Sequence, residues 1–329
     1  MSATGLSKNI FSKNIDEQVL AQHHPKLLPT LLLDRTTKHN IVWATDDYKE
    51  VSNLHQANAE ITVASITGKY SELISPRIAK SRDLQVSRTK GKAEVFTPSW
   101  ICNEQNNLVD EAWFGRKDVF NHSKDKSWIS TTAKIAFSDK RSKNWMAYVD
   151  ERRMEITCGE APYLVSRYDA TTGSAIPLSE RIGLLDRKLR VVSENVSNES
   201  DWLKWSKRAF ESIYGFEYQG DSLLLARENL LATYADYMFD NLHRKPTEHE
   251  LITIARIISW NIWQMDGLTG YPPYCDTPVS NIQLTLFDSM DKKTPVHPST
   301  PCRIKDWRAN RTNTFNDLLL QEKNDEASR

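Results

Sequence analysis

Three acids stand where a strand would hand over to a turn. Glu155 leads into "TCGEAP" at the end of a short apolar run, Glu217 closes "YGFE" ahead of "YQGD", and Asp266 follows "NIWQM" just before a glycine. Ligands of open α/β sheets bind beyond the carboxyl ends of the strands, so acids at several strand ends would line one crevice. A carboxylate there accepts strong hydrogen bonds from an ammonium, a ribose diol or an adenine amino group. Gly159, directly after Cys158, would let backbone approach such a ligand where a Cβ would intrude.

The elements that must hold these acids are partly legible. "DWLKWSKRAF" reads as a helix carrying Trp202, Trp205 and Phe210. After Glu217 a long helix is expected to start near Asp221 and Ser222, both good N-cap types. Thr247 and Glu250 form a capping-box pair ahead of Leu251, Ile254, Ala255 and Ile258 on one helical face, and that segment runs on to Asp266. Upstream, Thr97 is suited to cap a helix with Pro98 at its first position, burying Ile101, Leu108, Val109 and Trp113.

Before residue 91 the pattern predicts a small mixed α/β unit. Leu31–Leu33 and Ile41–Trp43 read as strands joined by the polar turn Thr36–Asn40, and "EITVASITG" as a third. The basic stretch "RIAKSRDLQVSRTKGK" reads as a solvated helix face, with a phosphate-contacting surface as the alternative. Past Gly270 the chain is rich in Pro, Thr and Ser as far as Pro301, and "CRIKDWRANRTNTFNDLLL" is expected to add a short strand and helix. The expected division is 1–90, 91–270 and 271–329.

Composition bounds the partners. The 329 residues suffice for one large domain or two ordinary ones, and 26% charged against 39% hydrophobic is the balance of a soluble globular protein. Basic and acidic side chains number 43 each, so no global field draws the chain onto nucleic acid or an anionic membrane. Any nucleic-acid contact must come from a local patch. Cys102, Cys158, Cys275 and Cys302 form no C-x-x-C pair, which argues against a zinc site or a secreted disulfide scaffold and for a reducing compartment. No signal peptide or membrane span is evident, so a cytoplasmic location is expected.

Taken in order, these segments resemble the adenine-specific, S-adenosylmethionine-dependent DNA methyltransferases of restriction-modification systems. The first motif of that family, acid-x-x-Cys-Gly-x-Gly-x-Phe-Leu, is matched by Glu155-Ile156-Thr157-Cys158-Gly159-Glu160-Ala161-Pro162-Tyr163-Leu164. Its Phe-Thr-Pro motif is matched by Phe96-Thr97-Pro98, its ribose-binding acid by Glu217, and its adenine-binding acid by Asp266. The resemblance implies an α/β, Rossmann-like methyltransferase fold with a small N-terminal extension, binding S-adenosylmethionine and needing no metal. It implies that Glu155 holds the methionine ammonium, that Gly159, Cys158 and Ala161 form the turn beside it, and that Phe96 packs on the cofactor's apolar edge. Thr97 and Pro98 would sit near its carboxylate, at a helix N-terminus where anions are favoured.

Three departures from the family pattern matter. Ala161 replaces the second glycine and Pro162 follows it. The interval from Cys158 to Glu217 exceeds an ordinary β-α-β step, so "YDATTGSAIPLSERIGLLDRKLRVVSEN" reads as an insertion. The Asn/Asp-Pro-Pro-aromatic loop that holds a flipped adenine has one counterpart, Tyr271-Pro272-Pro273-Tyr274, in which Tyr replaces the acid or amide. If that loop is catalytic, Tyr274 is the stacking ring; the plainer reading is a Pro-rich turn.

Singly, Cys158 reads equally as an inert buried thiol, Glu217 as a helix-start charge and Asp266 as a turn residue. Together they point to an adenine-specific DNA methyltransferase or its modification subunit, acting with DNA and a restriction or specificity subunit. The rival is a non-catalytic, cofactor-binding subunit or pseudo-methyltransferase that works with a partner chain.

Overall fold

The acid-bearing segments come together in one parallel sheet. The computed structural model describes residues 15–92, 97–275 and 300–317. In chain order the helices and strands up to the first acid are α1 (Glu17–His23), α2 (Leu27–Leu32), α3 (Val63–Ile66), α4 (Arg82–Lys92), α5 (Ser99–Phe114), the hairpin β1 (Asn121–Lys124) and β2 (Ser127–Ser130), α6 (Trp145–Asp150) and β3 (Arg153–Glu155). Then follow α7 (Leu184–Asn195), α8 (Glu199–Glu211), β4 (Ile213–Glu217), α9 (Gly220–Leu242), α10 (Glu248–Asn261), β5 (Ile262–Gln264) and the hairpin β6 (Arg303–Asp306) and β7 (Arg311–Thr314). The chain is thus mixed α/β, with many helices around small sheets.

Strands β3, β4 and β5 lie side by side in that order, all parallel. Glu155 pairs with Gly215 and Glu217 with Gln264, so Glu155, Glu217 and Gln264 share one face by the two-residue alternation of a strand. That face looks into the main core, which runs without a break from Ile15 to Ile262 and includes Ile213, Leu223 and Leu230. On the other face Tyr214, Phe216, Trp263 and Met265 pack against Cys302 and Ile304 at the foot of the β6–β7 hairpin. All five residues of β4 are buried, as expected of a central parallel strand.

Several sequence-based expectations change. The Leu31–Leu33 strand lies largely in helix α2: Leu27, Leu28, Leu31 and Leu32 are buried at helical spacing, and Pro29 sits in the first turn, where its missing N–H lacks an acceptor anyway. A short leucine run fits a strand or a buried helix equally, and packing against the core decides. Ile41–Trp43 is extended but enters only an isolated bridge, Val42 to Glu60, and "EITVASITG" becomes helix α3, opened by a capping box between Thr62 and Ser65. Residues 15–90 hold helices and bridges but, among the described residues, no strand.

Helix α5 turns only part of its expected face inward, with Trp113 against the core and Leu108 and Val109 exposed. Leu108 is 64% exposed, whereas Cys102, Asn103, Asn106 and Asp110 are buried. A polar seam explains this. Asn103 and Asn121 exchange amide hydrogen bonds of 3.0 and 2.7 Å, Asn106 Nδ2 donates to the carbonyls of Tyr163 and Ile182, and Asp110 accepts from Tyr148 Oη and Arg187 Nη1. Hydrogen-bonded polar groups take much of the inner face, Leu108 and Val109 are left to solvent, and Trp113 still packs against the core.

The basic stretch before residue 93 is solvated at Arg82 and Lys90 but not throughout. Lys80 and Arg88 turn inward onto Asp221: Lys80 Nζ donates to Oδ2 at 2.9 Å, Arg88 donates to both carboxylate oxygens, and Tyr48 Oη adds a fourth bond. Asp221 is therefore not the cap of α9, a position held by Gln219, but the centre of a buried ion cluster in its first turn. The Thr247–Glu250 capping box forms as expected.

Candidate functional site at the carboxyl edge of the parallel sheet

Strand β3 ends at Glu155, and the chain turns sharply to stay beside β4. Cys158 N donates to Phe216 O at 2.8 Å, which prolongs the parallel pairing. Thr157, Gly159 and Ala161 all adopt positive φ, at 48°, 53° and 65°. Gly159 takes that conformation without strain; Ala161 takes it with a buried methyl group.

Two carboxylates brace this turn. Glu155 accepts from Tyr163 N and Leu164 N, at 3.3 and 3.1 Å. Glu217 reaches across from β4, accepting Gly159 N at 2.8 Å on one oxygen and Tyr218 N and Gln219 N on the other. Neither makes an ion pair among the described residues. Burial pushes the Glu155 carboxyl well above its usual range; the two backbone donors oppose this and the nearby Glu217 charge adds to it. Glu217 is raised by the same burial, against its three backbone donors. The Cys158 thiol is also pushed well up by burial and by both acids, so it stands here as a neutral, inert group.

The third acid lies just beyond β5. Met265 N donates to Glu217 O, so alternation puts Asp266 on the side of Gln264. Asp266 Oδ1 accepts Leu268 N at 2.8 Å, and its backbone bridges Tyr271. Gln264 itself ties down the N-terminal segment: Val42 N donates to its Oε1, and its Nε2 donates to Val42 O and Tyr218 O. Tyr218 sits between the acids, its phenol raised by burial and by the Asp266 charge, and a side-chain hydrogen bond links it to Tyr274.

Glu155, Cys158, Gly159, Ala161, Glu217 and Asp266 are therefore gathered at one sheet edge. Phe96 lies outside the described residues. Thr97 does not cap α5, whose N-cap is Pro98, without a side-chain cap bond. The anion at this helix start is Asp169, from the insertion: its Oδ2 accepts Ser99 N at 2.7 Å, while Oδ1 accepts from Thr171 and Thr172. Burial would raise this carboxyl, and the hydrogen bonds hold it far below the usual range instead. The helix terminus expected to face a ligand carboxylate is met by the chain's own.

The Tyr271–Tyr274 loop folds back onto the end of β5. Tyr271 O accepts Asp266 N, Pro272 and Pro273 are buried, and Tyr274 holds a positive φ of 58°. What the sequence did not disclose is the apolar rim: Ile156 follows Glu155, Tyr218 follows Glu217 and Leu268 follows Asp266 by two, exposed by 68%, 36% and 93%. Large apolar groups left exposed at the ends of all three strands suit a ligand or partner surface. Among the described residues no group of three or more His, Cys, Asp or Glu is arranged to hold a metal ion, and no helix is long and apolar enough to cross a membrane. No family model, curated protein or solved structure matches the chain.

Proposed function

We propose that this chain binds S-adenosylmethionine at the carboxyl edge of its parallel sheet and serves a DNA-modification system as the subunit that carries the adenine-methylating centre. The observation that supports this most is the convergence of Glu155, Glu217 and Asp266 at adjacent strand ends, with two of them buried without a cation. When bound, S-adenosylmethionine supplies a methyl group on a sulfonium centre. Glu217 would receive the ribose hydroxyls, Asp266 the adenine amino group and Gly159 the close backbone approach, within a Rossmann-like arrangement.

A second reading is favoured by the loop after Asp266. Buried Pro272 and Pro273 and the backbone bridge from Asp266 to Tyr271 leave that segment packed rather than open to a flipped base. On this reading the chain is a non-catalytic, cofactor-binding subunit, and the acceptor loop belongs to a partner chain.

Calorimetric titration of S-adenosylmethionine into the full chain, followed by transfer of tritiated methyl to unmodified genomic DNA, tests both. Asp266→Ala is expected to weaken binding about tenfold, or ~1.4 kcal/mol, against an exposed control such as Glu50→Ala. Absence of binding, or equal loss in the two variants, rejects the cofactor assignment. Binding without transfer selects the non-catalytic subunit.

A further inference from the structure

The opposite edge of the same sheet carries a different chemistry. A cavity of about 550 Å³ opens between α6 and α8, beside Asp150 and Glu211, which precede β3 and β4. Trp205 and Met146 line it, and Arg141, Lys204, Lys207 and Arg208 surround them. Trp205 is braced edge-on by Trp145 at 4.8 Å, and Lys204 Nζ lies 5.8 Å from the Trp205 ring centroid.

The charges around this cavity do not balance, although the whole chain is neutral. Asp150 pairs with both Arg208 and Arg308, Glu211 with both Lys207 and Arg208, and Asp306 with both Arg152 and Arg311. Each acid is shared by two cations, and Arg141 and Lys204 add charges that meet no acid among the described residues. The β6–β7 hairpin extends the patch, because Arg308 reaches across to Asp150 with an Nε–Oδ2 distance of 2.8 Å.

We infer that this amino-terminal edge binds single-stranded nucleic acid, with its phosphates on the cationic rim and an unpaired base in the cavity beside Trp205. Phosphates repeating along a strand match cations spaced around the opening, and a flat base matches the tryptophan-lined space between them. An acidic peptide supplies charge without a stacking partner, and duplex DNA keeps its bases paired and out of the cavity. The inference is independent of the cofactor site, since none of its residues lies at the carboxyl edge.

Fluorescence anisotropy with labelled 20-nucleotide dT and U strands tests it, using the full chain without S-adenosylmethionine. The reversal Arg141→Glu with Lys204→Glu touches only exposed positions and is expected to weaken binding at least tenfold. Removing the same two charges as Arg141→Ala with Lys204→Ala should lower the slope of log affinity against log salt by about 1.4. Trp205→Ala should weaken binding at unchanged salt slope; if it unsettles the α6–α8 packing, the exposed pair still decides. Comparing the two strands identifies DNA or RNA as the source. Undiminished binding by the charge-reversed protein, duplex binding as tight as single-strand binding, or equal competition by polyglutamate overturns the inference.

Discussion

Gly220 is the point where the N-terminal segment crosses the carboxyl edge, and replacing it with alanine should undo that crossing. An added Cβ would stand 2.1 Å from Val42 O and 3.0 Å from Val42 C, with Ile61 Cδ1 at 2.9 Å. The isoleucine tip can swing away; the Val42 carbonyl cannot, because it accepts from Gln264 Nε2 while Val42 N donates to Gln264 Oε1 and Trp43 O accepts Gly220 N. Relieving the clash therefore disturbs three buried hydrogen bonds at about 1 kcal/mol each, or leaves overpacking of ~1–3 kcal/mol. Alanine's better helix propensity returns at most about 1 kcal/mol at this first helical position. The net expectation is a loss of about 2 kcal/mol in urea unfolding. Gln264→Ala removes both Val42 bonds and the bond to Tyr218 O but not the Gly220 contact, so it should cost about 3 kcal/mol. A drop below ~0.5 kcal/mol for Gly220→Ala would show that the segment does not cross there as described.

Two further measurements probe buried charge. Asp221→Asn leaves Lys80 buried without its carboxylate and Arg88 with that of Asp47 in place of two, and should cost about 3 kcal/mol in the same assay. Burial alone would raise the Asp221 carboxyl from 3.8, but Lys80 and Arg88 hold it well below that. Its stabilisation is thus complete above pH 3.8 and drains away as pH falls below it, a loss that Asp221→Asn should abolish. Glu17 shows the opposite sign. Burial, assisted by the Asp16 charge and opposed by its own backbone hydrogen bond, raises it from 4.5 to about 7, and Glu228 lies buried nearby with no hydrogen-bond partner on either oxygen among the described residues. The folded state keeps a proton that the unfolded chain has released, so this stability is intact below pH 4.5 and is lost as pH rises through about 7. Glu17→Gln should flatten the fall in urea midpoint between pH 5 and pH 8. A variant as pH-dependent as the parent would place the titration elsewhere.

The acids, the sharp turn at Cys158–Gly159 and the Thr247–Glu250 capping box are local signals, since residue type and spacing within a few positions are enough to specify them. For that reason Glu155, Glu217 and Asp266 were legible as strand-end acids before their strands were known to be neighbours. Order and direction of β3, β4 and β5 were not legible, because parallel pairing joins segments about fifty to sixty residues apart through backbone bonds that carry no sequence mark.

Tertiary contact also decided which way the ambiguous segments turned. The leucines of α2 could be strand or helix until a core selected the helix, and α5 buried its asparagines because Asn121 and Arg187 waited there to pair with them. Lys80 and Arg88 looked like solvent charges because Asp221, which draws them inward, lies far along the chain. Asp169 read as one polar residue of an insertion, yet it is the anion that meets the start of α5. By itself the sequence determined the chemistry on offer: carboxylates at strand ends and a neutral sum of charge. Only the folded chain decided that Glu155 and Glu217 are desolvated at one edge while the cations gather at the other, since burial and long-range pairing depend on neighbours that a linear reading keeps apart.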